Sequence, residues 1–225
     1  MSDRPIIFSA PLVRALLDGR KTQTRRIIKP QPAPHVQVYR IGAEWDWRDG
    51  TRGGAVRVPY APGDRLWVRE AFTCEGQSEG EALFRATVDD DTGYYAEEIA
   101  EIRWRPSIHM PRWASRLTLI VTDARVQRLL EISAQDAESE GVFRHVAEHS
   151  LNKVFRSERG TVAVEYFRDL WNSLHGPDAW DANPWVCALT FTVQRGNIDQ
   201  VTAPSEAQNG GRLAGRISQQ QGRNL

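Results

Sequence analysis

Sulfur is scarce in this sequence. The 225 residues include two cysteines, Cys74 and Cys187, and two methionines. Two cysteines cannot build a disulfide framework, nor a zinc site of the paired-cysteine kind. Net charge is lacking too: Lys+Arg and Asp+Glu number 29 each, so the balance is zero. Such a chain exerts no whole-molecule pull on nucleic acid, and any phosphate contact must come from a local patch. No apolar run approaches the roughly 18 residues of a membrane-spanning helix, and the N-terminus lacks the apolar core of a signal peptide. A cytoplasmic protein with no membrane partner is expected. Lysine is rare beside arginine, whose planar fork suits bidentate contacts to phosphate or carboxylate.

What is present is concentrated in Gly19-Arg20-Lys21-Thr22-Gln23-Thr24-Arg25-Arg26, which crowds an ammonium, two hydroxyls and several guanidinium groups into eight residues. If this stretch is extended, alternation sends Thr22, Thr24 and Arg26 one way and Lys21, Gln23 and Arg25 the other. Lys21 and Thr24 then meet only if the strand begins near Thr22, with Lys21 still in the turn. Upstream, Ile6-Ile7-Phe8 reads as a strand. Ser9 is placed to cap a helix with Pro11 in its first turn, and Gly19 to close it.

Lys29-Pro30-Gln31-Pro32-Ala33-Pro34 reads as an extended crossing segment. Short strands follow at 35–39 and around Trp45 and Trp47, with a break at Gly53-Gly54. Pro62-Gly63-Asp64 is a turn leading into a strand over 66–72, and another strand is expected over 82–88. The alternation sends Trp67 and Arg69 to one face and Glu70 to the other. Trp104 to Trp113 carries two prolines and reads as a loop, whose Trp, His and Arg content suits a wall for a flat ligand. A long strand or hairpin spans 115–130. A short helix follows, capped by Ser133 and ended by Gly141. The stripe Ala163, Phe167, Leu170, Trp171 and Leu174 marks the core face of a longer helix that stops at Gly176. Trp185 to Val193 reads as a half-buried closing strand. Beyond Gly196 the chain is polar and expected to be disordered or to pack elsewhere. Many short strands, few helices and no βαβ rhythm predict an α+β fold, a small β-barrel decorated with short helices and long loops.

The basic stretch, the Pro62-Gly63-Asp64 turn before Leu66-Trp67-Val68, and Ala137-Glu138-Ser139-Glu140-Gly141 together resemble the ASCH domain (activating signal cointegrator homology), a PUA-like barrel. The chain is similar above all to the ASCH proteins of bacteriophages and prophages. The resemblance runs from about residue 4 to 194. It implies a single domain over 1–195, with insertions at about 30–54 and 72–113, and a separate tail at 196–225. Small bacterial ASCH proteins are amidohydrolases that deacetylate N4-acetylcytidine through a lysine and a threonine of this motif and a helical glutamate. Those positions correspond to Lys21, Thr24 and Glu140. This chain is about twice as long as those enzymes, so its extra segments alter the cover of the pocket or the ligand. Other PUA-like domains simply bind nucleic acid, and a single-stranded RNA or DNA partner is the alternative to a modified nucleoside.

The chemistry leaves the role of Lys21 open. A lysine acts as a base only if its pKa falls from about 10.4 to roughly 7–8. Burial pushes it that way, and a nearby Glu140 carboxylate pushes it back. In one outcome Lys21 is the base and Thr24 the nucleophile, with Glu140 attending the leaving amine. In another Lys21 stays charged and stabilises the oxyanion while Glu140 activates Thr24 or a water. In a third the two residues form a structural ion pair. Arg26, Trp67, Glu70, His109 and Trp113 are the expected substrate contacts. His145 and His149 are four apart but lack a third ligand at a fitting offset, so neither metal nor other cofactor is expected.

Overall fold

The computed structural model describes residues 2–74, 78, 80–88, 96–142 and 159–201. The fold is mixed α+β, mostly sheet. Strand β1 (Asp3–Ile7) precedes helix α1 (Ala10–Leu17), and strand β2 (Gln23–Ile27) carries the basic motif. Ser9 occupies the cap of α1 with extended backbone, although its side chain makes no capping bond. Asp18 ends the helix and Gly19 follows at φ 71°.

Strands β3 (Gln37–Ile41), β4 (Glu44–Asp49) and β5 (Arg52–Val56) form an antiparallel three-stranded sheet. The expected break at Gly53-Gly54 is instead part of β5. Gly54 pairs with Trp47, and a Cβ there would stand 3.1 Å from the indole nitrogen. The glycines are what let the Trp47 ring lie across the strand.

Strand β6 (Arg65–Arg69) emerges from the Gly63-Asp64 turn, where the Asp64 carboxylate accepts the backbone N–H groups of Ser2 and Ala61. The strand expected over 66–72 breaks after Arg69 and resumes as the short β7 (Phe72–Thr73), paired with β8 (Leu83–Phe84). Helix α2 (Ala96–Glu101) and two single 3-10 turns, Ser107–His109 and Arg112–Ala114, lead into β9 (Leu117–Arg128), one unbroken strand rather than a hairpin. The short helix is α3 (Ala134–Ser139), with the Ser133 hydroxyl accepting the Asp136 N–H. The longer one is α4 (Arg159–His175), followed by β10 (Trp185–Arg195).

The main sheet has the order β1-β6-β9-β10-β2, with β1 parallel to β6 and the other pairings antiparallel. β10 is therefore an interior strand, not a closing one. Both its faces are covered, and Val186 and Ala188 are as buried as Cys187 and Leu189. On one face Cys187, Leu189 and Phe191 join Ile6, Phe8, Val13, Leu16 and Leu119, with Trp45 and Trp47 of the small sheet packed over them. On the other, Val186 meets Phe167 and Trp171 of α4 and Ala137 of α3. Burial lifts the Cys187 thiol pKa to about 12, which makes it an inert core group.

No strand pairing that closes the expected barrel is detected among the described residues. Among the described residues no backbone hydrogen bond joins the edge strands β1 and β2. Instead the Arg26 guanidinium crosses the gap and donates to the Ile7 carbonyl at 2.8 Å.

The segment expected to begin a disordered tail stays anchored through Val201. Asn197 donates through its side-chain amide to the carbonyls of Arg112, Trp113 and Ser115, and Ile198 is fully buried. The tail beyond 201, the Asp89–Gly93 turn, and His145 and His149 lie outside the described residues. No described helix is long and apolar enough to cross a membrane.

Candidate active site

The motif turns before it becomes a strand. The N–H groups of Arg20 and Lys21 both donate to the Ala15 carbonyl, which holds Lys21 in the turn, and β2 starts at Gln23. The Thr22 N–H then bonds the Ser139 carbonyl at 2.9 Å, tying β2 to the end of α3. Glu140 is the C-cap of that helix, and Gly141 follows at φ 83°. A Cβ on Gly141 would lie 2.8 Å from the Cβ atoms of both Ala15 and Lys21. Glycine therefore allows α3, α1 and the motif to close on one point, for steric as well as conformational reasons.

At that point Lys21 and Glu140 meet. Lys21 is 1% exposed and Glu140 3%. Lys21 Nζ donates to Glu140 Oε2 at 2.8 Å, to the Glu140 carbonyl at 2.9 Å and to the Gln23 carbonyl at 2.8 Å. Three acceptors match the three protons of an ammonium, so the geometry holds Lys21 in its charged form. Burial drives its pKa below the ordinary lysine value, while the Glu140 carboxylate pushes in the opposite direction.

Arg25 is the partner that residue types alone did not suggest. Its Nη1 donates to Glu140 Oε1 at 3.0 Å and its Nη2 to Asp136 Oδ2 at 2.8 Å. Gln23 donates to Asp136 Oδ1. The alternation of β2 contained the signal: it sends Gln23 and Arg25 together toward the face that α3 covers, where two acids one helical turn apart await them. The result is a buried chain of charges, Lys21–Glu140–Arg25–Asp136.

Thr24 lies on the other face of β2, 4% exposed and paired in register with Leu189. None of the cluster's hydrogen bonds ends on its hydroxyl. Arg26 shares the Thr24 face, and Lys21 Nζ and the Arg26 guanidinium approach the Phe8 ring to 5.3 and 5.0 Å of its centroid. Burial lowers the Arg26 pKa, partly offset by Tyr60 and then Glu140.

The remaining expected contacts do not join the cluster. Glu70 is held by both oxygens on Arg116, at 2.9 Å each, and burial raises its pKa against that pairing. Trp67 is buried in β6 with the Arg69 guanidinium 5.2 Å from its ring centroid. Arg69 in turn donates to the Ile108 carbonyl, next to His109. His109 is exposed, and Trp113 is 51% exposed on the following 3-10 turn. Among the described residues no three His, Cys, Asp or Glu side chains stand together as metal ligands.

A pH dependence follows from Asp136. Burial alone would raise its pKa, but the Gln23 hydrogen bond and the charges of Arg25 and Arg125 hold it below the ordinary value. Stability from such a group is full above the unfolded-chain pKa and is lost as pH falls through the folded one. Asp136→Asn should cost about 1–3 kcal/mol at pH 7 in urea unfolding. The gap to wild type should narrow below about pH 4. A gap that stays constant down to pH 3 would show that the carboxylate's charge contributes nothing.

No protein-family model matches the chain, and no curated protein matches it. Among solved structures it is similar to the crystal structure of protein EF3133 from Enterococcus faecalis V583, of family DUF984. The identity is 10%, the match covers 87% of this chain and 82% of that one, and the TM-score is 0.39. A likeness that loose carries no argument about chemistry.

Proposed function

We propose that this chain is an ASCH-type amidohydrolase that cleaves an N4-acylated cytidine or a related acylated nucleobase. The reading is supported by one observation above all: Lys21 and Glu140, 119 positions apart, meet at 2.8 Å in a buried pair at the start of the strand that carries Thr24. Of the roles open to Lys21, the three-acceptor geometry favours the charged one. Thr24 stands on the opposite face of β2 and all three Lys21 N–H groups are engaged, so the reaction requires substrate binding to free one N–H and bring the Thr24 hydroxyl to Glu140. The ammonium then stabilises the oxyanion as Thr24 Oγ adds to the acyl carbon, and Glu140 takes the hydroxyl proton and returns it to the departing amine. Water then releases the acyl group from Thr24.

The test is to incubate the purified chain with N4-acetylcytidine and follow cytidine release. Turnover by wild type that falls to background in Thr24→Ala, with the fold intact by circular dichroism, supports the enzyme. An inactive wild type at millimolar substrate overturns it. The second reading, a non-catalytic module for single-stranded RNA or DNA, is favoured by the Trp113 ring, which stands exposed on a loop beside His109. It predicts salt-dependent oligonucleotide binding without turnover.

A further inference from the structure

Away from the Lys21 cluster, an open groove of about 660 Å³ runs between the edge of the small sheet and the ends of β9 and β10. Its walls include Val36, Tyr39 and Arg48 on one side and Arg128, Glu131 and Trp185 on the other. Each side contributes a guanidinium lying over an aromatic ring. Arg48 is 5.7 Å from the Tyr39 centroid, and Arg128 is 5.2 Å from that of Trp185. Among the described residues neither guanidinium has a carboxylate partner. Glu131 also lines the groove, and its Oε2 accepts the Arg128 backbone N–H at 3.0 Å without an ion pair to the guanidinium. Trp185 is 8% exposed, and its indole N–H finds no acceptor among the described residues.

We propose that this groove binds a nucleoside monophosphate, with the phosphate between Arg48 and Arg128 and the base along the Tyr39 ring. Three features select that class. Two guanidinium groups without an ion-pair partner among the described residues call for an anion with several acceptor oxygens, even beside the Glu131 carboxylate. The flat rings beside them suit a planar partner, since an aromatic face accepts any base by stacking. The volume falls within the range of small-ligand sites, whereas inorganic phosphate would leave most of it, and both rings, unused. The inference stands apart from the chemistry proposed at Lys21, and it gives a role to the strands at 37–56, which the resemblance treats as inserted.

The test is calorimetric titration of the full chain with cytidine 5′-monophosphate, cytidine and inorganic phosphate, at low and at physiological salt. Cytidine 5′-monophosphate should bind with a Kd of about 1 mM or tighter. Cytidine and phosphate should each bind at least about tenfold more weakly, and added salt should weaken the nucleotide. Arg48→Ala and Arg128→Ala should each cost about tenfold in affinity. Arg48 is exposed, so that variant tests the groove without threatening the fold. Thr24→Ala should bind as wild type does. The proposal is overturned if the nucleotide fails to bind at 5 mM (about fivefold above the expected Kd), if Arg48→Ala binds it unchanged, if phosphate alone binds equally well, or if Thr24→Ala abolishes binding. A short single-stranded oligonucleotide that binds tighter than the mononucleotide, through the same two arginines, would identify the nucleotide as one unit of a chain.

Discussion

Gly141→Ala is expected to lose about 2–5 kcal/mol of stability, read as a lower urea midpoint. Two costs add. A non-glycine residue at φ 83° costs about 1–2 kcal/mol, and overpacking a closed core costs about 1–3 kcal/mol. The second cost arises because the new methyl would come 2.8 Å from the Cβ atoms of Ala15 and Lys21, and neither is the loose end of a flexible chain. Gly19→Ala is the matched control. It sits at φ 71° with nothing within 4 Å of an added Cβ, so it should show the conformational cost alone. Equal losses in the two variants would mean that the junction of α1, α3 and the motif yields without cost. If the junction instead resists, Gly141→Ala should also displace Glu140 from Lys21, and cytidine release should fall with stability.

Lys21→Met should produce the other large effect. The thioether chain fills a similar volume but leaves the Glu140 carboxylate buried with Arg25 as its remaining cation. Removing one partner of a buried ion pair costs about 3–5 kcal/mol, chiefly because the surviving charge is uncompensated. Lys21→Met/Glu140→Gln should therefore recover a large part of that loss. Activity should behave differently: it should fall about 10²–10³-fold in Lys21→Met and stay low in the stabilised double variant. If stability and turnover recover together, the pair is a structural tie and the proposed chemistry fails. If the single variant is as stable as wild type, Arg25 alone neutralises Glu140.

Much of this was legible in local signals. The cap and stop residues of α1 and α3 were readable because Ser, Pro and Gly act over a single turn. The α4 stripe was readable because it repeats over about three turns, although only Ala163, Phe167 and Trp171 are buried and Leu174, at its end, is 56% exposed. The split of the motif between turn and strand was stated only as a condition, and the structure meets it with a strand that starts at Gln23. What was missed depends on partners distant in sequence. Gly53-Gly54 looks like a break until Trp47 is laid across it, and β10 looks half-buried until both its faces are covered. Arg25 looked like one basic residue among several, because the acids that claim it lie more than a hundred positions away. The α+β class was legible, but closure at the β1–β2 seam was not, because the number of strands does not determine whether the first and last of them pair.

That seam has a mechanical consequence. A continuous ladder resists separation through many bonds at once, whereas β1 and β2 are stitched by one arginine reaching one carbonyl. Parting them needs the Arg26 bond to Ile7 and the approach of Arg26 and Lys21 to the Phe8 ring to be lost, while β1 stays zipped to β6 and β2 to β10. The seam is thus held by side chains rather than by a ladder, and its strength rests on the Arg26 guanidinium that bonds Ile7 and lies against Phe8.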